Sequence, residues 1–163
     1  MTPGGDVSLL FVRAHRLTCA FPLEAVSEIT RALPLRVLGG LPAYVRGASV
    51  IRGAATAVVD LSVLLGNEAL TAPARYVVLR AGSPVALAVD GVAGVRVLPR
   101  EKLGSLPRVL EDTGGEYVRS LLSLDGDLVP VMASAFMLPD EVLAAVLGRV
   151  GGGEAHTARG SVA

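Results

Sequence analysis

The chain contains one sequence unit twice, with no gap between the aligned copies. Residues Ala43–Val59 read AYVRGASVIRGAATAVV, and residues Glu116–Met132, 73 positions later, read EYVRSLLSLDGDLVPVM. The triplet Tyr-Val-Arg occurs in both copies, at 44–46 and at 117–119. An ungapped repeat of this length predicts that both segments form the same local structure. The fold must therefore accommodate two related units within 163 residues.

A second pair of segments repeats at an offset of 66 positions. Residues Leu23–Ile29 align with Val89–Val95. Two short apolar runs separated by a turn precede each segment, within 9–21 and within 76–89. Short apolar runs separated by Gly, Pro and Ser every 8 to 12 residues or so are typical of all-β sandwiches and barrels. Each half is therefore predicted to contain a hairpin, a linking segment, a short helical turn at the Tyr-Val-Arg triplet and a second hairpin.

These patterns predict an all-β fold with two small five-stranded barrels, each closed by the strands of one half. The whole chain, 1–163, is expected to form one domain, because neither half is large enough for a generous core. The first subdomain is expected to contain 9–65 with elements from the C-terminus, and the second mainly 75–138. The polar segment Gly66–Arg75 is the predicted boundary.

The C-terminal region is predicted to contain one helix and a flexible tail. Asp140 can cap a helix, an amphipathic run follows it, and Gly148 is placed to end it. The tail 149–163 has too little apolar content to pack, which predicts flexibility.

Charge and hydropathy exclude several classes of protein. Acidic and basic residues balance at 15 each, so no general field attracts nucleic acid or anionic lipid. No apolar run approaches the roughly 20 residues that a membrane span needs. The first apolar run follows Asp6 without a basic region, which is typical of a strand and not of a secretion signal. We expect a soluble, cytoplasmic protein without direct membrane insertion.

Side chains suited to catalysis do not cluster in the sequence. His15 lies in a predicted hairpin turn and His156 in the tail, so neither is positioned as a base. Cys19 alternates with Leu17 and Phe21 and is expected to pack in the core as a small apolar residue. Metal binding would require clustered His, Cys or carboxylate side chains. The sequence predicts no catalytic residues, no cofactor and no metal.

Differences between the two copies point to residues that the fold does not require. Gly53 recurs as Gly126, but Arg52 replaces the turn-forming Asp125. Because Asp favours a tight hairpin turn more than Arg does, propensity alone does not explain Arg52. We infer a function for Arg52, the alternative being an ordinary exposed arginine beside a turn. Glu28 is also specific to the first copy.

Two other polar residues are assigned to the fold. Arg46 recurs as Arg119, which favours a structural role such as hydrogen bonding to local carbonyls. Asp60 ends an apolar strand and precedes the short helical segment 61–65, so we expect it to be the N-cap. A contact with a partner is the alternative for Asp60.

Four motifs occur in order along most of the chain, from about residue 9 to residue 138. They are LEAVSEI, PAYVRGASVIRGAATAVVDLSVLLG, ALAVDGVAGV and GEYVRSL. Together they resemble the CheW family, the adaptor proteins of bacterial chemosensory arrays. The Arg-Gly pair followed by an apolar strand ending in Asp-Leu is the most specific part. The family fold, two five-stranded SH3-like β-barrel subdomains, agrees with the repeat.

The resemblance implies a non-catalytic adaptor. It would couple the cytoplasmic tip of methyl-accepting chemoreceptors, a helical hairpin, to the regulatory domain of a CheA-type histidine kinase. Other CheW-like domains are further partners that the resemblance implies. By position, the residues on the receptor-binding and signalling side are Leu23, Val26, Glu28, Arg52 and Gly53, and Glu28 and Arg52 match a charged pair of the family. The residues on the kinase-binding side are Val92 and Val95.

Two alternatives remain open at this point. Val50, Ala57 and Met132 depart from the family pattern. Because Met132 lies in the second subdomain, where the kinase contact is expected, a divergent paralogue that binds receptor but not kinase is one alternative. The alternative of another class is a small-molecule-binding β-barrel protein that uses the groove between its barrels. A hydrolase with an unrecognised Ser or Asp site is opposed by the lack of a His near a nucleophile in the sequence.

Overall fold

The computed structural model describes residues 5–80, 84–105, 117–133 and 138–149. The predicted flexible tail, apart from residue 149, lies outside these ranges. The strands are β1 Asp6–Ala14, β2 Leu17–Pro22, β3 Val26–Arg31, β4 Val45–Ile51, β5 Ala54–Asp60, β6 Arg75–Leu79, β7 Val85–Val89, β8 Gly91–Pro99, β9 Leu103–Ser105, β10 Val118–Leu124 and β11 Asp127–Met132. The helical elements are the 3₁₀ turns Leu23–Ala25 and Arg100–Lys102, helix α1 Leu61–Leu64 and helix α2 over 140–149.

The strands form two sheets, which confirms the predicted all-β class with few helices. The six-stranded sheet has the order β8-β1-β2-β11-β10-β9, and the five-stranded sheet has the order β3-β6-β7-β5-β4. Within the described ranges, the edge strands of each sheet are not paired with each other.

The two halves of the chain exchange their N-terminal hairpins. Hairpin β1–β2 lies between β8 and β11 of the second half, and hairpin β6–β7 lies between β3 and β5 of the first half. The expectation that each half closes its own five strands is therefore wrong. Strands from 9–65 and from 75–138 occur in both sheets, so neither range corresponds to one sheet. Local sequence patterns predict a hairpin but not the distant strand with which it pairs.

The hydrogen-bond register reproduces the 73-residue repeat. Gly47 of β4 pairs with Val58 of β5, and Ser120 of β10 pairs with Val131 of β11. Both pairs follow a bulge at the arginine of the Tyr-Val-Arg triplet. The ungapped alignment is thus confirmed strand by strand. The predicted helical turn at the triplet is wrong, because the valine of each triplet already begins β4 or β10.

The 66-residue repeat is also reproduced in register. Val26 of β3 pairs with Leu79 of β6, and Val92 of β8 pairs with Val12 of β1. One residue further along β3 and β8, both ladders contain a bulge. The two edge strands β3 and β8 are therefore equivalent elements on different sheets.

The exchanged hairpin β1–β2 connects two apolar cores. Leu10 and Val12 belong to a large cluster that includes residues of both sheets, whereas Leu9 and Phe11 belong to a smaller cluster within the six-stranded sheet. Successive side chains of a strand point to opposite faces. Because both faces of β1 are buried, its sequence is a continuous apolar run and not an alternating one.

Helix α2 packs against the large core. It begins at Asp140 as predicted, and Val146 is fully buried in the large cluster. Gly148 lies inside the helix and does not end it. The Arg149 guanidinium donates a hydrogen bond to the carbonyl of Gly39, which ties α2 to the loop before β4.

Gly47→Ala is expected to destabilise the fold. A Cβ on Gly47, whose φ is +146°, would lie 2.0 Å from the carbonyl oxygen of Arg36. Arg36 and Ala48 exchange two backbone hydrogen bonds of 2.7 and 2.9 Å, so this carbonyl cannot move away freely. The free energy of unfolding, measured in urea, should fall by about 2 kcal/mol or more.

The matched control is Ser120→Ala at the equivalent position of β10. Ser120 already carries a Cβ, so this change should cost less than about 1 kcal/mol. Equal unfolding free energies for wild type and Gly47→Ala would contradict the steric argument.

Candidate functional site

Arg52 occupies a turn that strongly disfavours arginine. Arg52 and Gly53 join β4 to β5 with φ values of 50° and 77°, and Asp125 and Gly126 join β10 to β11 with 52° and 86°. Positive φ at both central residues is the type I′ hairpin geometry, for which Asp-Gly is well suited. The predicted equivalence of the two turns is confirmed. Since a left-handed backbone is uncommon for arginine, turn propensity does not account for Arg52.

The Arg52 side chain forms an ion pair with Glu28. Its Nε donates to Glu28 Oε2 over 2.6 Å, and the side chains are 78% and 23% exposed. Glu28 lies on β3 and Arg52 follows β4, the two opposite edges of the five-stranded sheet, so the sheet is curled enough for its edges to meet. Such an exposed pair contributes only about 0–1 kcal/mol to folding.

Two exposed apolar side chains lie in the chain segment that contains Glu28, although Glu28 and Ile29, as successive residues of a strand, point to opposite faces of β3. Leu23 lies in the 3₁₀ turn between the two sheets and is 39% exposed, and Ile29 follows Glu28 on β3 and is 41% exposed. We name Leu23, Glu28, Ile29 and Arg52 the β3 surface. Gly53 is exposed in the adjoining turn.

Val26, which the sequence placed with these residues, is buried in the large core. A direct partner contact through Val26 stays a prediction, and its burial instead indicates support for β3. Ile29 was missed by the sequence reasoning. The sequence did contain a signal for Ile29, because Ile29 aligns with Val95, which was assigned to the kinase-binding side.

The second predicted surface lies along β8, an edge strand of the six-stranded sheet. Val95 is 50% exposed and Val97 is 62% exposed, whereas Val92 is half-buried against the large core. We name Val95 and Val97 the β8 edge. Exposed apolar residues on an edge strand are typical of a docking surface. Ile29 of β3 and Val95 of β8 occupy equivalent positions, so each sheet has one edge strand with an exposed apolar residue at this position.

Arg46 and Asp60 form a structural network. Asp60 accepts a 3.1 Å bond from the Val63 N–H, which confirms it as the N-cap of α1. Its Oδ2 also accepts from the Leu70 N–H at 2.9 Å and from Arg46 at 2.8 Å. Arg46 donates in turn to the Leu70 carbonyl, so the predicted bond to a carbonyl is present, but that carbonyl lies 24 residues along the chain and is not local. The sequence reasoning missed that one ion pair joins these two residues.

The other residues considered for a chemical role are the potential metal ligands and His15. Among the described residues, no group of three or more His, Cys, Asp or Glu side chains could hold a metal ion. His15 lies in the β1–β2 turn, where its ring contacts the Ala69 carbonyl at 2.9 Å. No helix in the described ranges is long and apolar enough to cross a membrane.

Cys19 is expected to be unreactive in the folded protein. It is fully buried in the large core, as the sequence predicts, and burial raises the pKa of its thiol to about 12. The reactive species is the thiolate, so neutral and inaccessible Cys19 should resist alkylation by iodoacetamide at pH 8. Mass spectrometry should detect one adduct per chain in urea and none without it. Rapid modification of the native protein would contradict this.

Comparison with known proteins identifies relatives along most of the chain. The model of the CheW-like domain family matches residues 8–141. The chain is 27% identical over 144 residues to the chemotaxis protein CheW of Rhizobium meliloti (strain 1021), covering 86% of this chain and 92% of that protein. It is 27% identical over 128 residues to the probable chemotaxis protein CheW of Rhizobium etli (strain ATCC 51251), covering 77% and 83%.

A solved structure shares the same architecture. The scaffolding protein TtCheW from Thermoanaerobacter tengcongensis superposes with a TM-score of 0.72 at 16% sequence identity, covering 80% of this chain and 91% of that chain. At this identity the likeness concerns the fold alone, and it confirms the predicted SH3-like, all-β fold class.

Proposed function

Because this chain belongs to the CheW-like domain family, we propose that it is a non-catalytic cytoplasmic adaptor that couples chemoreceptors to a CheA-type histidine kinase. The relatives named chemotaxis protein CheW support the chemotaxis setting. The observation that carries the proposal is the exposed Glu28–Arg52 pair, because Arg52 occupies a turn position that disfavours it.

The β3 surface is the proposed receptor-binding site. A receptor tip presents a helical hairpin, and a helix binds an apolar groove through side chains spaced three and four residues apart. Leu23 and Ile29 offer exposed apolar area for such anchors. Charges at the rim of an interface determine register and partner choice more than affinity. Glu28 and Arg52 therefore orient the helix.

The β8 edge is the proposed kinase-binding site. It lies on the other sheet from the β3 surface, and we propose that a kinase regulatory domain and a receptor bind at the same time. Val95 and Val97 share one side of the strand, since side chains alternate, and both are exposed. We propose that other CheW-like domains also bind through the β3 surface and the β8 edge.

Arg52→Asn is expected to weaken receptor coupling without loss of stability. Asn tolerates positive φ, so the turn is preserved while the cation is removed. Co-sedimentation with receptor fragments should require about fivefold more protein, which corresponds to about 1 kcal/mol. The thermal unfolding midpoint should stay the same or rise slightly.

The control is Asp125→Asn, the same final residue at the equivalent turn of the second copy. It should leave co-sedimentation unchanged. A folded Arg52→Asn protein that couples as well as wild type would reject the proposed role of Arg52.

Val95→Asp is expected to separate the two binding activities. A carboxylate at the centre of the β8 edge should weaken binding of the purified kinase regulatory domain at least tenfold, because an unpaired charge would be desolvated at the interface. Receptor binding should be unaffected. Leu128→Asp, at an exposed apolar position of β11 on the same sheet, is the control. If the wild-type protein binds receptor but not the kinase domain, the divergent-paralogue alternative is correct.

A further inference from the structure

Two exposed arginines face each other at the edge of the five-stranded sheet, and we name them the arginine pair. Arg31, the last residue of β3, pairs in register with Arg75, the first residue of β6. Both side chains are exposed. Residues directly opposite on antiparallel strands share one face, with Cβ atoms about 5 Å apart. Like charges in this arrangement destabilise a sheet, so strand pairing does not explain the arginine pair.

The second copy has two uncharged residues at the equivalent position. Arg31 of β3 aligns with Val97 of β8 in the 66-residue repeat. Val97 is paired in register with Ser8, which takes the position of Arg75. The same pair of strands therefore forms with a valine and a serine at this point. The fold does not require either arginine.

No carboxylate of the described residues forms a salt bridge with the arginine pair. Among the residues of β3 and β6, the only acidic one is Glu28, which is paired with Arg52. Glu28 also points to the opposite face of β3 from Arg31, because side chains alternate. Arg75 donates one hydrogen bond, from Nη1 to the neighbouring Ala74 carbonyl at 3.0 Å. Since a guanidinium has five N–H donors, both arginines can bind a further acceptor.

An exposed apolar side chain lies beside the arginine pair on the same face. Ile29 precedes Arg31 by two residues on β3, so both side chains point the same way, about 7 Å apart along the strand. The cross-strand neighbour of Ile29 is Val77, which is fully buried in the large core. From the core outwards, this face of the sheet therefore presents one exposed apolar side chain followed by two cations.

We propose that the arginine pair selects a receptor helix with an acidic residue three or four positions from the apolar residue that contacts Ile29. This inference rests on the proposed receptor binding by the β3 surface. Side chains three or four residues apart on a helix lie about 5–6 Å from each other, close to the spacing of Ile29 and Arg31. A carboxylate there accepts charge-assisted hydrogen bonds from the guanidinium groups and offsets their mutual repulsion.

The arginine pair gives the two edges different specificities. The equivalent face of β8 presents Val95 and Val97, both exposed, where β3 presents Ile29 and Arg31. A helix with a carboxylate at this point would lose its hydration against the β8 edge without gaining a cation, whereas it gains one on β3. The difference in charge therefore directs an acidic helix to β3 and away from β8.

The first test removes both charges from the full-length protein. A variant with Arg31→Gln and Arg75→Gln should bind receptor fragments about tenfold more weakly in co-sedimentation at about 0.05 M NaCl. At about 0.5 M NaCl the difference from wild type should shrink, because salt screens exposed charges. The thermal unfolding midpoint should stay the same or rise, since a repulsion is removed. The matched control carries Arg13→Gln and Arg96→Gln, which remove two exposed arginines from the other sheet, and should bind as wild type does.

The second test reverses one charge on each side of the interface. Arg31→Glu should weaken receptor binding at least tenfold, and a receptor fragment in which one exposed acidic residue of the tip is changed to Arg should restore it. Failure of every such fragment to restore binding would overturn the proposed contact. So would wild-type affinity in the folded double variant, or equal weakening in the matched control. Receptor binding by the wild-type protein would stand in each of these cases, whereas its absence would reject the proposed receptor function itself.

Discussion

The reciprocal exchange of hairpins is the constraint on which the two sheets depend. A two-stranded hairpin is marginal by itself in water, and here β1–β2 is completed by β8 and β11 while β6–β7 is completed by β3 and β5. Because β1 contributes one face to each apolar cluster, neither sheet can rearrange alone. The turn Leu23–Ala25, which passes from one sheet to the other, is thereby fixed relative to both edges proposed to bind partners.

Duplication gives each structural position a counterpart in the same chain. Where the counterparts share register and differ in residue, the difference identifies what the fold does not require. Arg52 and Asp125 occupy equivalent turns, but only Arg52 reaches a carboxylate. Arg46 and Arg119 occupy equivalent bulges, and Arg46 forms an ion pair with Asp60, whose counterpart in the second copy is Ala133. The first difference is the basis of the proposed partner binding, and the second changes the surroundings of a repeated arginine, so equivalent backbones carry different chemistry.

Local features were predictable because they depend on neighbouring residues. The turn at Arg52, the cap at Asp60 and the buried Cys19 follow from turn geometry, hydrogen-bonding capacity and strand alternation. Val26 was assigned to a surface through the family resemblance alone. The alternation along β3 instead buries Val26 and exposes Ile29. Gly148 was expected to end the helix, and the helical assignment continues through residue 149, the last described residue of α2.

The amino-acid sequence by itself determined the hairpins, the ungapped duplication, and the choice of Glu28 and Arg52 as charged residues specific to the first copy. The tertiary structure alone decided which hairpin completes which sheet, and how the five-stranded sheet curls so that the charged pair implied by the resemblance forms between its two edges. It also placed Arg31 opposite Arg75 across the edge of that sheet. The physical reason is that strand identity arises from side chains a few residues apart. Strand partners and cross-strand neighbours depend on groups that only folding brings together.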